Sequence, residues 1–147
     1  MSSHENVLAG LKILTECALP YADVGRNSDK PARVEGGGRV DIRNGEAVLI
    51  ETELSPLRYI YERRVPAIVM AYQSGSLTRE QVVDQMLETI GTAVAANRRL
   101  NIKGEDRCEW LDLEAPDLDD AESTGAETVG GATFHFVVTY VATTPLN

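Results

Sequence analysis

Residues 39–52 have the sequence Arg-Val-Asp-Ile-Arg-Asn-Gly-Glu-Ala-Val-Leu-Ile-Glu-Thr, in which two extended runs flank Asn44-Gly45. Asn-Gly tolerates the positive φ angles that a two-residue type I′ turn demands. The stretch therefore predicts a β-hairpin in which residues 39–43 pair with residues 46–52. This is the clearest local signal in the chain, and it favours an antiparallel sheet as the centre of the fold.

A longer extended segment follows at residues 57–72 and is rich in Tyr, Val and Ile. Pro66 lies inside this segment. Because proline has no backbone N–H to donate, Pro66 predicts an edge position, a bulge or a break in the ladder at that point. The charged run Glu62-Arg63-Arg64 in the same segment is expected near solvent or at a subunit boundary.

Two further strands are predicted towards the carboxyl end, at residues 108–113 and 132–143. One face of the second strand carries four bulky residues at alternate positions, Phe134, Phe136, Val138 and Tyr140. The residues between these two strands, 114–131, are acidic and contain glycine. That composition predicts a loop.

Two amphipathic helices are predicted outside the strands. The first begins at Ser2 or Ser3, both good N-cap residues, and ends before Pro20. The second opens with a T-x-x-Q capping box formed by Thr78 and Gln81. Its apolar residues recur at helical spacing, namely Val83, Met86, Leu87, Ile90 and Val94.

The predicted elements follow the order α-β-β-β-α-β-β. Residues 21–38, rich in Gly, Asp, Asn and Pro, predict a long loop after the first helix. Helices and hairpins grouped this way predict an α+β fold, with an open, mostly antiparallel sheet of about four to five strands and both helices packed on one face. A chain of 147 residues suits one such domain, which spans residues 1–147.

The acidic residues are concentrated near the carboxyl end. The net charge is −9, and residues 108–147 contain eight acids and no Lys or Arg. Tight binding of nucleic acid requires cationic groups that displace the counterions of the phosphates, so this composition argues against it. No apolar run has the length of a membrane-spanning helix and the amino terminus has no basic n-region, which predicts a cytoplasmic location without membrane contact.

The sequence lacks the motifs of the common catalytic and cofactor sites. The triple glycine at 36–38 is not followed by the Lys and Ser or Thr of a phosphate-binding loop. His4 and His135 are not at the spacing of a zinc site, and Cys17 and Cys108 are expected to be two separate buried thiols. We therefore expect no cofactor, no metal and no enzymatic activity.

Four features together form a pattern: a short amino-terminal helix, an extended segment at residues 57–65, a helix at residues 79–99 and a closing strand at residues 134–140. This pattern, which covers nearly the whole chain, resembles the tail terminator (tail completion) proteins of long-tailed phages and of phage-derived gene transfer agents. The resemblance implies a structural protein of virion assembly. Its subunits form a ring, commonly a hexamer, that caps the tail tube, ends tube polymerisation and offers its other side to the head-tail connector protein.

The resemblance also implies roles for particular residues. The run Glu62, Arg63 and Arg64 is expected at the interface between neighbouring subunits of the ring. The two predicted loops are expected to become ordered on contact with the tail tube protein or the connector. Their candidate contact residues are Arg26, Lys30, Arg33, Asp117, Asp119 and Asp120. An acidic surface along the bore would repel DNA that passes through the ring. Such a protein acts in the cytoplasm during assembly and then becomes part of the tail.

Two other functions remain open from the sequence. A small-molecule-binding or acyl-handling α+β enzyme predicts a deep apolar pocket with one or two convergent polar groups. A regulatory adaptor predicts a monomer or dimer that binds one protein partner. The shape of the cavities and the oligomeric state distinguish these functions from a ring subunit.

Overall fold

The computed structural model describes residues 1–27, 37–72, 75–124 and 127–147, with the backbone alone described at 119–124 and 127–130. The chain forms an α+β fold with two helices and a mostly antiparallel sheet. The elements are α1 (Ser3–Ala18), β1 (Asp23–Arg26), β2 (Arg39–Ile42), β3 (Glu46–Leu54), β4 (Leu57–Ala71), α2 (Arg79–Ala96), β5 (Asn101–Ile102), β6 (Glu105–Asp106), β7 (Trp110–Thr124) and β8 (Glu127–Ala142).

The main sheet has six strands in the order β1-β2-β4-β8-β7, with β3 also paired to β4. This is more than the four to five strands predicted, because β1 adds a short strand at one edge. β1 runs parallel to β2, whereas the other neighbours in the sheet are antiparallel. A separate small sheet joins β5 to β6.

The predicted hairpin at residues 39–52 is wrong. β2 and β3 do form, but both pair with β4 and lie one after the other along the same side of it. The real hairpin joins β3 to β4 through the turn at Ser55-Pro56, where Leu54 pairs with Leu57. Gly45 has the positive φ angle of +64° that suggested a turn, but there it bends a continuing chain instead of reversing it. β4 is long enough to form backbone hydrogen bonds with both β2 and β3, and this pairing outweighs the local turn preference of Asn-Gly.

Pro66 explains where this bend falls. β2 ends with Ile42 opposite Ala67, and β3 begins with Glu46 opposite Arg64, so the interruption lies beside Pro66. A neighbouring strand has no N–H to accept from at that position. The carbonyl of Pro66 still accepts from the backbone N–H of Arg43 at 2.8 Å. The predicted break in the ladder is confirmed, although β4 itself is a central strand.

Both helices pack on one face of the sheet, as predicted. β4 and β8 bury alternate side chains on this helix-facing side, where Val65 pairs with Phe136 and Ala67 with Phe134. α1 contacts α2, and both helices contact β8. Burial of each large apolar side chain contributes about 1.5–3 kcal/mol, so this layer is the main source of stability. Ser2 caps α1, and the capping box of Thr78 and Gln81 opens α2.

The predicted loop at 114–131 is wrong at every described residue, and the one at 21–38 is wrong at 23–26, while its residues 28–36 lie outside the described residues. Within 21–38, residues 23–26 form β1, where the N–H of Asp23 donates to the carbonyl of Gly38 at 3.0 Å. Within 114–131, β7 continues to Thr124 and β8 starts at Glu127. The Asp, Gly and Pro content disfavours strands locally, but a long antiparallel ladder with two register shifts accommodates it.

Candidate assembly surfaces

The sheet face opposite the helices carries part of the predicted subunit interface. We call it the outer face. Glu62 and Arg64 lie on it, whereas Arg63 lies on the helix-facing side, because neighbouring residues of a strand alternate between faces. The Nε of Arg63 donates to the hydroxyl of Tyr140 at 3.1 Å, and its Nη1 donates to the carbonyl of Asn44 at 2.8 Å. Arg63 therefore holds the bend between β2 and β3, and only its two neighbours face outward.

Arg64 makes a two-pronged ion pair across the outer face. Its Nε and Nη2 donate to the two carboxylate oxygens of Glu114 at 2.7 and 2.5 Å. These hydrogen bonds lower the pKa of Glu114 and raise the pKa of Arg64. Both side chains are about half exposed, so the pair joins β4 to β7 at a surface that solvent reaches.

The other predicted contact residues differ in what they touch. Arg26 donates to Glu5 at 2.5 Å, which links β1 to α1 and lowers the pKa of Glu5. Lys30 and Arg33 lie outside the described residues. Asp117 is exposed on β7 opposite Thr133. Asp119 and Asp120 lie on the same strand, where only the backbone is described.

The β3 strand is an edge that exposes aliphatic side chains between glutamates. Among the described residues, β4 is the one strand that pairs with it. Its exposed large side chains are Val48, Leu49, Ile50 and Leu54, with exposures of 59%, 48%, 52% and 82%. Natural proteins usually blunt such an edge with charge, proline or a covering segment. β3 carries the exposed Glu46 and Glu51 as such charges but leaves its aliphatic side chains on an edge that no described strand covers.

Two hairpins project from opposite ends of the sheet. The tip of the β3-β4 hairpin lies beyond the pair Tyr59 and Ala142, where β8 ends. The β7-β8 hairpin extends beyond the pair Ala71 and Gly130, at the other end of β4. The first tip exposes Leu54 and Leu57. The sequence of the second, residues 114–127, contains six acids and no Lys or Arg.

Trp110 marks the start of β7 and is 51% exposed. The guanidinium of Arg98 lies 5.3 Å from the centre of its ring. Arg98 also donates to the carboxylate of Asp112 at 3.0 Å, and the pKa of Asp112 is lowered by the N–H of Leu113 and by Arg98. Sequence reasoning did not single out this exposed tryptophan beside an arginine, although it is the one Trp in the chain.

The histidines and cysteines lie in separate places. Nδ1 of His4 lies 2.6 Å from the hydroxyl of Tyr140, and Nε2 lies 3.0 Å from the carbonyl of Pro145, so α1 is tied to β8 and to the last residues. His135 is half-buried on the outer face. Cys17 is exposed, contrary to the predicted burial, because its position on α1 points away from the sheet. Cys108 is buried, and burial raises its pKa to about 12.

The described residues contain no group of three or more His, Cys, Asp or Glu side chains placed to hold a metal ion. A shallow groove of about 430 Å³ runs along the solvent side of α2. Its lining is mainly acidic and amide side chains, namely Leu77, Glu80, Gln81, Asp84, Gln85 and Glu88. This open surface groove differs from the deep pocket expected of a small-molecule enzyme.

Within the described part of the chain, neither helix has the length and apolar composition needed to cross a membrane. Comparison with models of known protein families and with curated proteins finds no match to this chain.

Proposed function

We propose that this protein is a subunit of a ring that caps a phage-type tail tube. In this role the ring ends polymerisation of the tube and offers its other side to the head-tail connector. The proposal rests on the resemblance to tail terminators and on one feature of the structure. The single supporting observation is that the two hairpins leave the sheet at opposite ends and differ in chemistry.

A ring that joins two different partners needs two different sides. One end of this molecule exposes Leu54 and Leu57, which suit an apolar contact with a protein surface. The other end carries the acidic β7-β8 hairpin. A ring in which the strands run along the axis keeps all apolar tips on one side and all acidic tips on the other, as a cap between tube and connector requires.

The acidic hairpin also fits a ring through which DNA passes. A surface rich in Asp and Glu repels phosphate, so DNA crosses it without binding. The protein would then act in the cytoplasm during assembly and remain in the finished tail. Its partners are other copies of itself, the tail tube protein and the connector protein.

Deletion of the gene in its host tests this function. We expect tails of uncontrolled length, or tails that do not join heads, in electron micrographs of the particles. Complementation with the wild-type gene should restore uniform tails. Particles with tails of normal length and normal attachment in the deletion strain would rule out the cap.

A double variant tests whether the apolar tip of the β3-β4 hairpin is needed for assembly. Complementation with the Leu54→Glu, Leu57→Glu double variant should fail, because two charges desolvated at a protein contact oppose binding. Tyr21→Glu is the matched control, since Tyr21 is 89% exposed and precedes β1, whose first residue Asp23 lies in the row of Arg39 and Met70 at the other end of β4. Equal complementation by both variants would exclude the tip as a contact with either partner.

A further inference from the structure

We propose that neighbouring copies of this chain join side by side, with the exposed edge of β3 in one copy packed against Trp110 and Arg98 of the next. This inference rests on the ring assembly proposed above and names the two surfaces that close the ring. We call the residues around Trp110 and Arg98 the Trp110 corner.

The two surfaces lie at the same height on opposite edges of the sheet. Val48 pairs with Glu62, Glu62 pairs with Thr139, and Thr139 pairs with Trp110. Directly paired residues point to the same face, so Val48 and Trp110 both point to the outer face. A neighbour whose Trp110 meets Val48 is therefore related by a rotation with little rise along the strands. A heterologous contact without rise closes into a ring when the rotation between neighbours is a whole fraction of a full turn.

The edge formed by β3 has a recess, and the opposite edge, formed by β7, has a projection at the same level. On one edge, β1 extends the sheet beside β2, whereas β3 has no such cover among the described residues and forms a recess. On the other edge, the N–H of Leu111 donates to the carbonyl of Arg98 at 2.7 Å, so the chain near Arg98 stands out beyond β7. Leu111 on β7 pairs with Val138 on β8. Val138 pairs with Arg63 on β4, and Arg63 pairs with Ala47 on β3. The projection on one edge is thus level with the recess on the other.

The contact consists of side-chain packing, not of a new strand pair. Leu111 already has its N–H bound to the carbonyl of Arg98 and its carbonyl bound to the Arg98 guanidinium. The start of β7 is therefore closed to a further strand. The β3 edge instead presents exposed aliphatic side chains, of which Val48 shares the outer face with the exposed indole and can pack against it.

Arg99 gives the Trp110 corner a cation that can face the carboxylates of β3. Glu46 and Glu51 are exposed on β3, and Arg99 is exposed at the corner. Arg98 is already paired with Asp112 there, and Glu109 is also exposed. Tryptophan and arginine are the residue types most enriched where interfaces derive their binding energy. Apolar contact with Trp110, flanked by carboxylates and guanidinium groups, therefore suits a specific contact between copies.

This contact fixes the direction of the ring axis. Because neighbours follow one another across the strands, the strands run along the axis. The β3-β4 tip then faces one side of the ring and the β7-β8 hairpin faces the other, as the proposed cap requires.

Cysteine cross-linking in assembled particles tests the contact. The host would carry the Val48→Cys, Trp110→Cys double variant in a Cys17→Ser background, which removes the exposed native thiol. We expect oxidation of purified particles to give a ladder of covalent oligomers of this chain. The single variants should stay monomeric. The Tyr21→Cys, Trp110→Cys pair is the matched control, because Tyr21 is more exposed than Val48 and precedes β1, which starts in the row of Met70, far along β4 from the row of Val48 and Glu62.

The outcomes separate this inference from the proposed function. Particles with capped tails but no ladder would overturn the inference and leave the cap standing. Dimers from Val48→Cys alone would show that β3 pairs with itself, which also overturns it. A host whose tails are normal without this gene would end the proposed function instead.

A second measurement uses the wild-type protein and needs no substitution. Trp110 is the sole tryptophan, so its emission reports the environment of this one site. When the purified protein forms rings, we expect the emission to shift to shorter wavelength and quenching by iodide to fall. Rings in which iodide quenches Trp110 as strongly as in the monomer would contradict the contact.

Discussion

Gly45 shows at the scale of one residue why the bend between β2 and β3 tolerates no side chain. Its φ is +64°, and a Cβ built there would lie 1.9 Å from the carbonyl oxygen of Arg64. We expect Gly45→Ala to lower the free energy of unfolding by about 2–4 kcal/mol, from backbone strain together with overpacking. Denaturation in urea measures this.

Gly75 provides the control for Gly45. Its φ is +58°, but no atom of the described residues lies within 4 Å of a Cβ built on it. Gly75→Ala therefore reports the backbone strain alone, about 1 kcal/mol. Equal losses in the two variants would mean that the contact with Arg64 is unimportant.

Tyr140 is a second residue whose role depends on distant partners. Its hydroxyl lies within hydrogen-bond distance of Arg63 on β4 and of His4 on α1. We expect Tyr140→Phe to lower the free energy of unfolding by about 1–2 kcal/mol, because it removes a buried hydroxyl that joins two elements. Tyr21→Phe, at an 89% exposed position, should change it by less than about 0.5 kcal/mol. Similar effects from both would contradict the proposed role of this hydroxyl.

Sequence reasoning reached these residues only in part. It placed Glu62, Arg63 and Arg64 in one charged run, but strand alternation sends Arg63 to Tyr140 and leaves its neighbours on the outer face. The alternation of strand residues between the two faces was visible in the sequence, whereas the hydrogen bond from Arg63 to Tyr140 on β8 was not. The Trp110 corner was missed because Arg98 and Trp110 are brought together by the end of α2 and the start of β7.

At the scale of elements, the helices and β4 were predictable because local signals and tertiary packing agree. The β2-β3 hairpin was not, because Asn-Gly is compatible with a turn and with a bend in a continuing strand. β1 and the distal β7-β8 ladder were missed because their residues have low strand propensity. They form strands by pairing with β2 and with each other, which no local pattern records.

The start of α2 gives a prediction at this scale. The hydroxyl of Thr78 accepts from the N–H of Gln81, and the Gln81 side chain accepts from the N–H of Thr78. We expect Thr78→Ala to lower the free energy of unfolding by about 0.5–2 kcal/mol. Thr92→Ala, an exposed change inside the same helix, should be neutral or slightly stabilising because alanine favours helices. Chemical denaturation of both variants measures the free energy of unfolding. A larger loss for Thr92→Ala than for Thr78→Ala would contradict the capping role of Thr78.

At the scale of the whole molecule, ion pairs between elements make stability depend on pH. The Arg64 guanidinium lowers the pKa of Glu114, so the pair stabilises the fold above the ordinary carboxyl pKa and loses that effect as pH falls below it. We expect Glu114→Gln to be less stable than the wild type near neutral pH. The difference should shrink as pH falls below about 4 and vanish below the lowered pKa of Glu114 in the folded state.

Asp117→Asn is the control for this titration, since it removes an exposed carboxylate from the same hairpin. Its difference from the wild type should stay small at every pH. Urea unfolding at a series of pH values gives both curves. A Glu114→Gln difference that persists unchanged into acid would show that the ion pair does not carry the effect.

In the proposed cap, the acidic β7-β8 hairpin repels the DNA that passes through the ring. Replacing Asp117, Asp119 and Asp120 with Asn keeps side-chain size while removing three negative charges, so we expect particles to assemble with tails of normal length. DNA that meets a less repulsive bore should be delayed, because weaker repulsion allows transient binding. The measurement is the fraction of assembled particles that deliver DNA, compared with particles carrying Glu80→Gln, Asp84→Asn and Glu88→Gln on α2. Equal delivery of DNA by the β7 and α2 triple variants would place the β7-β8 hairpin away from the path of the DNA. The acidic residues of the hairpin would then be expected to contact the connector instead.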